Sequence, residues 1–433
     1  MNHQNAVKSF IFIFSFVLVS SSILPAFQIT NESTIYYVDD DNVSGPWDGS
    51  MNHPFMTIND AIEISSDDDL IYVFSGEYNE DLFINKNIKI EGQHNQETVL
   101  LGKISIKGTI GVSLTQFTII PEENTINDVI GINITQSVST RIHQNIIEKQ
   151  HIGILLSEAT QTIIKGNAIE QNTIGLDICS STENLIYANT IQDNILSNVI
   201  LYFSEGNLVT QNIIRNAEHN LQFHTSKDTI NQNYWGNSKN IQFINGYKTV
   251  YAFNIVIPWI KILFNPLTSE DQISVNTLAI METSLGSMTL ELFYDKMPIT
   301  SQNFIDLADI DFFDGLVFHR VIDDFVIQGG GYDTEGKNKE SPLGTIPLET
   351  HPDVTHVNGA ISMARTNDPD SATSQFFICD GAQHGLDENY AAFGVILTGF
   401  ETLHAIASVE TTRKHFMADW PVEDVIISDV III

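Results

Sequence analysis

The sequence predicts a mainly β protein built from two unlike parts. The first is a parallel β-solenoid with coils of about 22 residues, and the second a closed antiparallel β-barrel with two helices. Three observations predict this. Asparagines recur at Asn145, Asn167, Asn189, Asn212 and Asn233, with spacings of 22, 22, 23 and 21. A second ladder, Gly131, Gly153, Gly175, Asn198 and Asn220, runs in phase with the first. After Asn276 both ladders have stopped. Alternating strand patterns begin there, with two helical stretches and two motif-dense segments, FHRVIDDFVIQGGG (318–331) and MARTNDPDSATSQFFIC (363–379).

Composition bounds what these parts can be. A chain of 433 residues is too long for one ordinary core and implies two or three domains. Lys and Arg total 20 against 54 Asp and Glu, a formal net charge of −34. That balance argues against nucleic acid or an anionic membrane surface as partner, since both reward cations. The acidic residues are spread along the chain and read as a solvated surface. Cys179 and Cys379 lie in different parts, so they form neither a disulfide framework nor a metal knuckle. Both sit in apolar words and read as small buried hydrophobes.

Residues 1–30 read as an address. Lys8 precedes the apolar run SFIFIFSFVLVSSSILPAF, residues 9–27, whose core suits a signal peptide. Ser20 to Ser22 offers small residues for cleavage. An uncleaved N-terminal anchor is the other reading. Either places the body outside the cytoplasm, secreted or held at the cell surface. Sequons at Asn31, Asn42 and Asn133 permit glycosylation there.

Residues 35–268 carry the repeat. Each coil supplies short strands rich in Ile, Leu and Val, and one coil alone cannot bury its inward face. Gly and Asn tolerate left-handed backbone at corners, and stacked Asn amides can hydrogen-bond along the axis. A helical reading fails because the apolar words are short and broken by polar pairs. The runs Asp39–Asp41 and Asp67–Asp69 read as solvated turns, with calcium as the alternative. His143, His151, His219 and His224 hold no fixed place in the coil, so no metal site is assigned.

These features resemble the right-handed parallel β-helix proteins of the pectin-lyase-like superfamily. The nearest group is the secreted β-helix repeats that include periplasmic copper-handling proteins. The opening YVDDDN with GPWDG and HPFMTINDAIE resembles that group's entry, with Thr57 to Ile64 as a short capping helix. Asn233 to Asn237, NYWGN, resembles the word that ends such stacks, and residues 247–266 would form the C-terminal cap. The resemblance brings no copper ligands that can be pointed to. It implies a spacer or a binding surface, for glycan or a cell-surface protein.

The short polar join 269–276 predicts that the two parts sit close together. Residues 277–433 then read in order as a hairpin about Gly286, a helix Thr300–Leu307 with Thr or Ser as N-cap, and the two motif segments. A strand, a second helix and a final strand follow. Strands closed by two helices indicate a barrel.

FHRVI..F.IQGG and MARTxDxDSATSQFFI closely resemble the cyclophilins, the cyclosporin-type peptidyl-prolyl cis/trans isomerases, over the whole of residues 277–433. The resemblance implies a cyclophilin-like barrel, no cofactor and no metal, and proline-containing polypeptides as partners. It places Arg320 on the catalytic arginine. Phe325, Phe377 and Leu386 would wall the proline pocket, with Val326 where Met is common. Gln328 and Gln375 would hold the substrate backbone. Ala364, Arg365 and Thr366 would line the groove, and Tyr390 stands where eukaryotic members carry His. Gly385 falls where a groove Trp is expected, which weakens grip on that side.

The residues themselves suit the reaction. X-Pro isomerisation must break amide resonance over about 18–20 kcal/mol, and needs no nucleophile. A donor aimed at the proline nitrogen favours the twisted state, and Arg320 never loses its charge. Strand alternation sends Phe376 and Phe377 to opposite faces. His319 reads as a packed, hydrogen-bonded histidine, and the glycines 329–331 allow close backbone approach. The expected function is therefore an extracytoplasmic prolyl isomerase that assists folding, with a β-helix for binding or spacing. The alternative is a surface glycan- or protein-binding structural protein with a weak or inactive cyclophilin domain. A polysaccharide-cleaving β-helix lacks a visible carboxylate constellation.

Overall fold

The computed structural model describes residues 33–42, 44–122, 129–236, 241–250, 255–264, 266–273 and 276–433. The address segment, with its apolar run 9–27 and the sequon at Asn31, lies outside them. Among the described residues no helix is long and apolar enough to cross a membrane.

The repeat folds as a parallel β-helix. Successive coils contribute strands to three sheets of nine, nine and seven strands. Inward positions stack in register, as in Ile132, Ile154, Leu176, Val199 and Leu221. All five are buried, so each coil supplies the apolar partner that its neighbour lacks. The first nine-stranded sheet starts beside the helix Ile58–Ile64, whose N-cap Thr57 accepts a hydrogen bond from Asp60 N. The Asp runs tie down backbone. Asp69 accepts from Thr34 N and Ser66 N, both at 2.7 Å, and Asp40 accepts from Glu77 N.

The two ladders divide the labour differently from the expectation. The asparagines do not occupy the left-handed corners. The residues before them do, among them Gln144, Gly166, Ala188, Gln211 and Gln232. Each buried Asn spends its amide on the next coil, for example Asn167 Nδ2 to Asn189 Oδ1 at 2.9 Å. The Gly ladder lies within strands. A Cβ on Gly153 would come within 2.6 Å of the Gly175 carbonyl oxygen, so that glycine is there for close inter-coil approach.

From Thr277 onward an eight-stranded antiparallel sheet curls on itself. It closes where Phe318 N donates to Val425 O at 3.0 Å and Ile427 N to Leu316 O at 2.8 Å. Two helices, Pro298–Ala308 and Phe400–Ala407, bury Phe304, Leu307, Leu403 and Ile406 in its core. The first starts at Pro298 and has no Thr or Ser side-chain cap. The Glu349 carboxylate caps it instead, accepting from Thr300 N and Oγ1, each at 2.8 Å. A carboxylate suits a helix N-terminus better than a hydroxyl, because the dipole favours negative charge there.

The barrel sits against the solenoid's outer face. Arg141, Ile163, Leu185 and Leu208 occupy one register position on successive coils. Ile163, Leu185 and Tyr187 pack with Leu278 and Ile280, and Leu397 and Ile431 add to the cluster. Arg141 pairs with Glu282 at 3.4 Å, and Tyr187 Oη donates to Glu291 at 3.0 Å. An outward stripe of aliphatic residues on a solenoid would otherwise face water.

Candidate active site

Arg320 opens the strand Arg320–Ile322, which pairs with Val326–Gly329 and sets Arg320 opposite Gln328. The turn between them is held from outside. The buried Asp380 carboxylate accepts from Asp324 N at 3.0 Å, and Gln383 Nε2 donates to Asp324 O at 3.0 Å. Asp324 takes a left-handed φ of 55°. The turn delivers Phe325, whose ring centroid lies 5.8 Å from the Arg320 guanidinium carbon.

The neighbouring strand Phe376–Cys379 sets Phe377 opposite Gln328. Alternation splits the two phenylalanines. Phe376 enters the barrel core, while Phe377 joins Val326, Ala360 and Cys379 in a separate cluster. Phe325, Ala364, Leu386 and Tyr390 pack against that cluster. Gln328 Nε2 donates to Gln375 Oε1 at 3.1 Å. Gly331 makes room for this pair, since a Cβ there would meet the Gln375 side chain at 2.5 Å.

Arg365 closes one side. Its guanidinium lies over Tyr390 at 4.7 Å and donates to Asn389 O through Nε and Nη2, at 3.0 and 2.8 Å. The Thr366 hydroxyl is engaged with Ser371 Oγ at 2.8 Å, so it shapes the loop. Ala364 N donates to Gln375 O at 2.8 Å. All the predicted site residues therefore lie on adjoining strands and loops around the apolar cluster of Val326, Phe377 and Cys379, with the guanidiniums of Arg320 and Arg365 at its edges.

Several supporting residues carry no signal in the sequence. The buried His356 ring stacks on Phe377, with centroids 5.9 Å apart and planes at 14°. It bonds Asp387 at 2.8 Å through Nδ1 and Ser362 at 3.0 Å through Nε2. Burial pushes the Asp387 carboxyl up, but hydrogen bonds from His356 and His384 outweigh it and hold the carboxyl below its usual range. Asp387 also ends the short turn His384–Leu386 that brings Leu386 to the cluster. His356 and Asp387 are 31 residues apart, so only the fold joins them.

His319 packs against Tyr332 and Trp420, at 4.7 and 6.1 Å between ring centroids. Burial pushes its imidazole down to about 4. An unfolded chain would protonate this histidine near pH 6.5, so stability is present above that value and is lost as the pH falls toward 4. His319→Phe should flatten the acid limb of the barrel's unfolding curve between those values by up to ~3 kcal/mol, read by urea denaturation against pH. Cys379 is buried and its thiol is pushed up to about 12, whereas Cys179 is only half-buried, contrary to the expectation for it.

Residues 278–432 match the family described as cyclophilin type peptidyl-prolyl cis-trans isomerase/CLD. A peptidyl-prolyl cis-trans isomerase of Acinetobacter baylyi is 40% identical over 142 residues, covering 32% of this chain and 75% of that protein. The chain belongs to the cyclophilin-type peptidyl-prolyl cis-trans isomerases. Isomerase A of Dickeya dadantii is 36% identical over 167 residues, 37% of this chain and 86% of that protein. Isomerase B of Escherichia coli is 34% identical over 161 residues, 35% and 98% respectively. The barrel of this chain is thus a cyclophilin, and the chain is a peptidyl-prolyl isomerase.

Ahead of the cyclophilin, residues 56–251 match the family described as periplasmic copper-binding protein (NosD). Copper favours imidazole and sulfur donors. Among the described residues, the groups able to converge on an ion are Asp311, Asp314 and Asp429, and Asp323, Asp324 and Asp380. Both are all-carboxylate and both lie on the cyclophilin, so the described residues of the coils do not fit a copper site.

Proposed function

We propose that this cyclophilin acts outside the cytoplasm on proline-containing segments of proteins, assisting their folding, with the β-helix as its carrier. One observation supports the reading most. The permanently charged Arg320 guanidinium stands 5.8 Å from the Phe325 ring, beside the apolar cluster of Val326, Phe377 and Leu386. The cluster takes the proline ring through Phe325, Val326, Phe377 and Leu386. Gln328 and Gln375 hold the flanking backbone. Arg320 donates to the proline nitrogen as its lone pair leaves the amide resonance. That bond exists only in the twisted state, so it lowers the barrier rather than merely tightening binding. His356 and Asp387 act behind Phe377 and Leu386 as positioning residues. The apolar run 9–27 and the periplasmic name of the matching family support the location.

Exchange spectroscopy on an X-Pro peptide tests the activity. Substoichiometric chain should produce cis/trans exchange peaks that are absent without it, and their absence would sink the proposal. A second measurement bears on the groove. Nothing lies within 4 Å of a Cβ built on Gly385. Gly385→Trp should therefore fold and supply the missing wall, lowering KM several-fold with kcat little changed. An unchanged KM would show that this side does not meet substrate.

A further inference from the structure

The solenoid ends in the antiparallel hairpin Ile241–Val250 and Ile255–Phe264, paired from Ile241↔Phe264 to Val250↔Ile255. Its two faces differ. One turns toward the coils. Ile244 lies in the solenoid core, Leu263 packs against it, and Lys261 sits 4.9 Å from the Phe223 ring. The other face is set by register. It carries Ile241, Phe243, Asn245, Tyr247 and Thr249 on one strand, and Val256, Pro258, Ile260 and Ile262 on the other. Nothing on it is charged. Its six large apolar side chains, Ile241, Phe243, Tyr247, Val256, Ile260 and Ile262, are 42–61% exposed.

The surrounding sequence is as unusual as the face. From Thr229 to Ser269 there is no Asp or Glu, in a chain that has 54 of them, while Lys239, Lys248 and Lys261 fall inside that stretch. The chain's charge as a whole argues against a membrane partner, and this is the region where the argument reverses. An uncharged apolar face with no carboxylate on either of its strands can enter a lipid interface without desolvating a charge, and Lys248 and Lys261 lie on the opposite face.

A second copy fits less well. Two strands of ten residues offer roughly 300–400 Å², and twice that stays below the ~1,200 Å² of a stable interface. Each copy would also bring a net charge of −34. A bilayer sets no such area limit and repels an uncharged face less.

We propose that this outward hairpin face is a membrane-docking surface, lying in the lipid interface with its aliphatic and aromatic side chains among the acyl chains. It holds the solenoid's C-terminal end at the bilayer, independently of the apolar run 9–27.

The test uses the full chain in a Cys179→Ser background, carrying an environment-sensitive NBD label on Ile260→Cys or, as control, on Lys337→Cys. Cys379 is buried with a raised thiol pKa and does not compete for the label. Adding phosphatidylcholine vesicles should brighten the Ile260→Cys label at least about twofold and shift it to the blue, with quenching by brominated acyl chains. The control label should not respond. Adding Phe243→Ser, Tyr247→Ser and Ile262→Ser should abolish the response while the urea midpoint of the solenoid stays close to the parent's, which shows that the variant's solenoid is folded. Vesicle flotation with no change at the Ile260→Cys label would overturn the proposal, because attachment would then run through another part of the chain. A blue shift that needs no lipid and grows with protein concentration would overturn it in favour of a second copy.

Discussion

Arg320→Ala should lower kcat/KM on an X-Pro peptide by about 10²–10³, with KM nearly unchanged, in a protease-coupled assay. That fall corresponds to ~3–4 kcal/mol of transition-state stabilisation. The reason is local. Arg320 sits at the edge of the cluster with its guanidinium carbon 5.8 Å from the Phe325 ring. The cluster itself is built from other residues, so the proline ring still binds. What disappears is the donor for the freed lone pair. Arg320→Lys keeps the charge but loses the planar fork, and should recover only part of the rate. The rate should also be flat with pH across the neutral range, because no step needs a group that titrates there. An Arg320→Ala enzyme within a factor of about two of the parent would remove Arg320 from the mechanism.

Asn189→Ala should cost on the order of 4 kcal/mol in the solenoid, seen as a lowered urea midpoint of its unfolding. Asn189 is 1% exposed and serves two coils. Its Oδ1 accepts from Asn167 N and Nδ2, both at 2.9 Å. Its Nδ2 donates to Ile164 O, Tyr187 O and Asn212 Oδ1. Truncation orphans these groups, and each orphan costs ~1–3 kcal/mol before relaxation. Glu218→Ala, on the exposed surface, should move the midpoint little. Equal effects from the two variants would mean that the amide ladder is decoration.

These residues also show what could be read in advance. The ladder was legible because the same need recurs in every coil, so one residue type repeats at a fixed spacing. Which member of the pair took the left-handed corner was not legible, since Asn tolerates that backbone better than Gln, yet Gln144 takes it and Asn145 spends its amide on the next coil. The residues proposed for the site could be picked out because most of them cluster in two short segments, with Leu386 and Tyr390 just beyond the second. Its supports could not. Glu349 caps a helix 49 residues away, and His356 finds Asp387 only when the turn after Cys379 folds back. Exposed apolar strands were equally opaque. In the hairpin, and in the stripe of Ile163 and Leu185, alternation of apolar residues reads as core, and only the fold shows which face has no coil behind it.

The closure of the barrel has a consequence for how the chain is made. A coil of the solenoid completes its contacts about 22 residues after it begins, so coils can form one by one as they emerge. The barrel cannot. Its first strand pairs with its last, Ile280 opposite Ile431, and nearly the whole segment must be present before that pairing exists. Until then the stripe at Ile163 and Leu185 stands bare on a finished solenoid. A ribosome-bound chain should thus pass through a stage with a folded rod, a sticky flank and an unfolded isomerase, and the last strand to arrive both seals the enzyme and covers the flank.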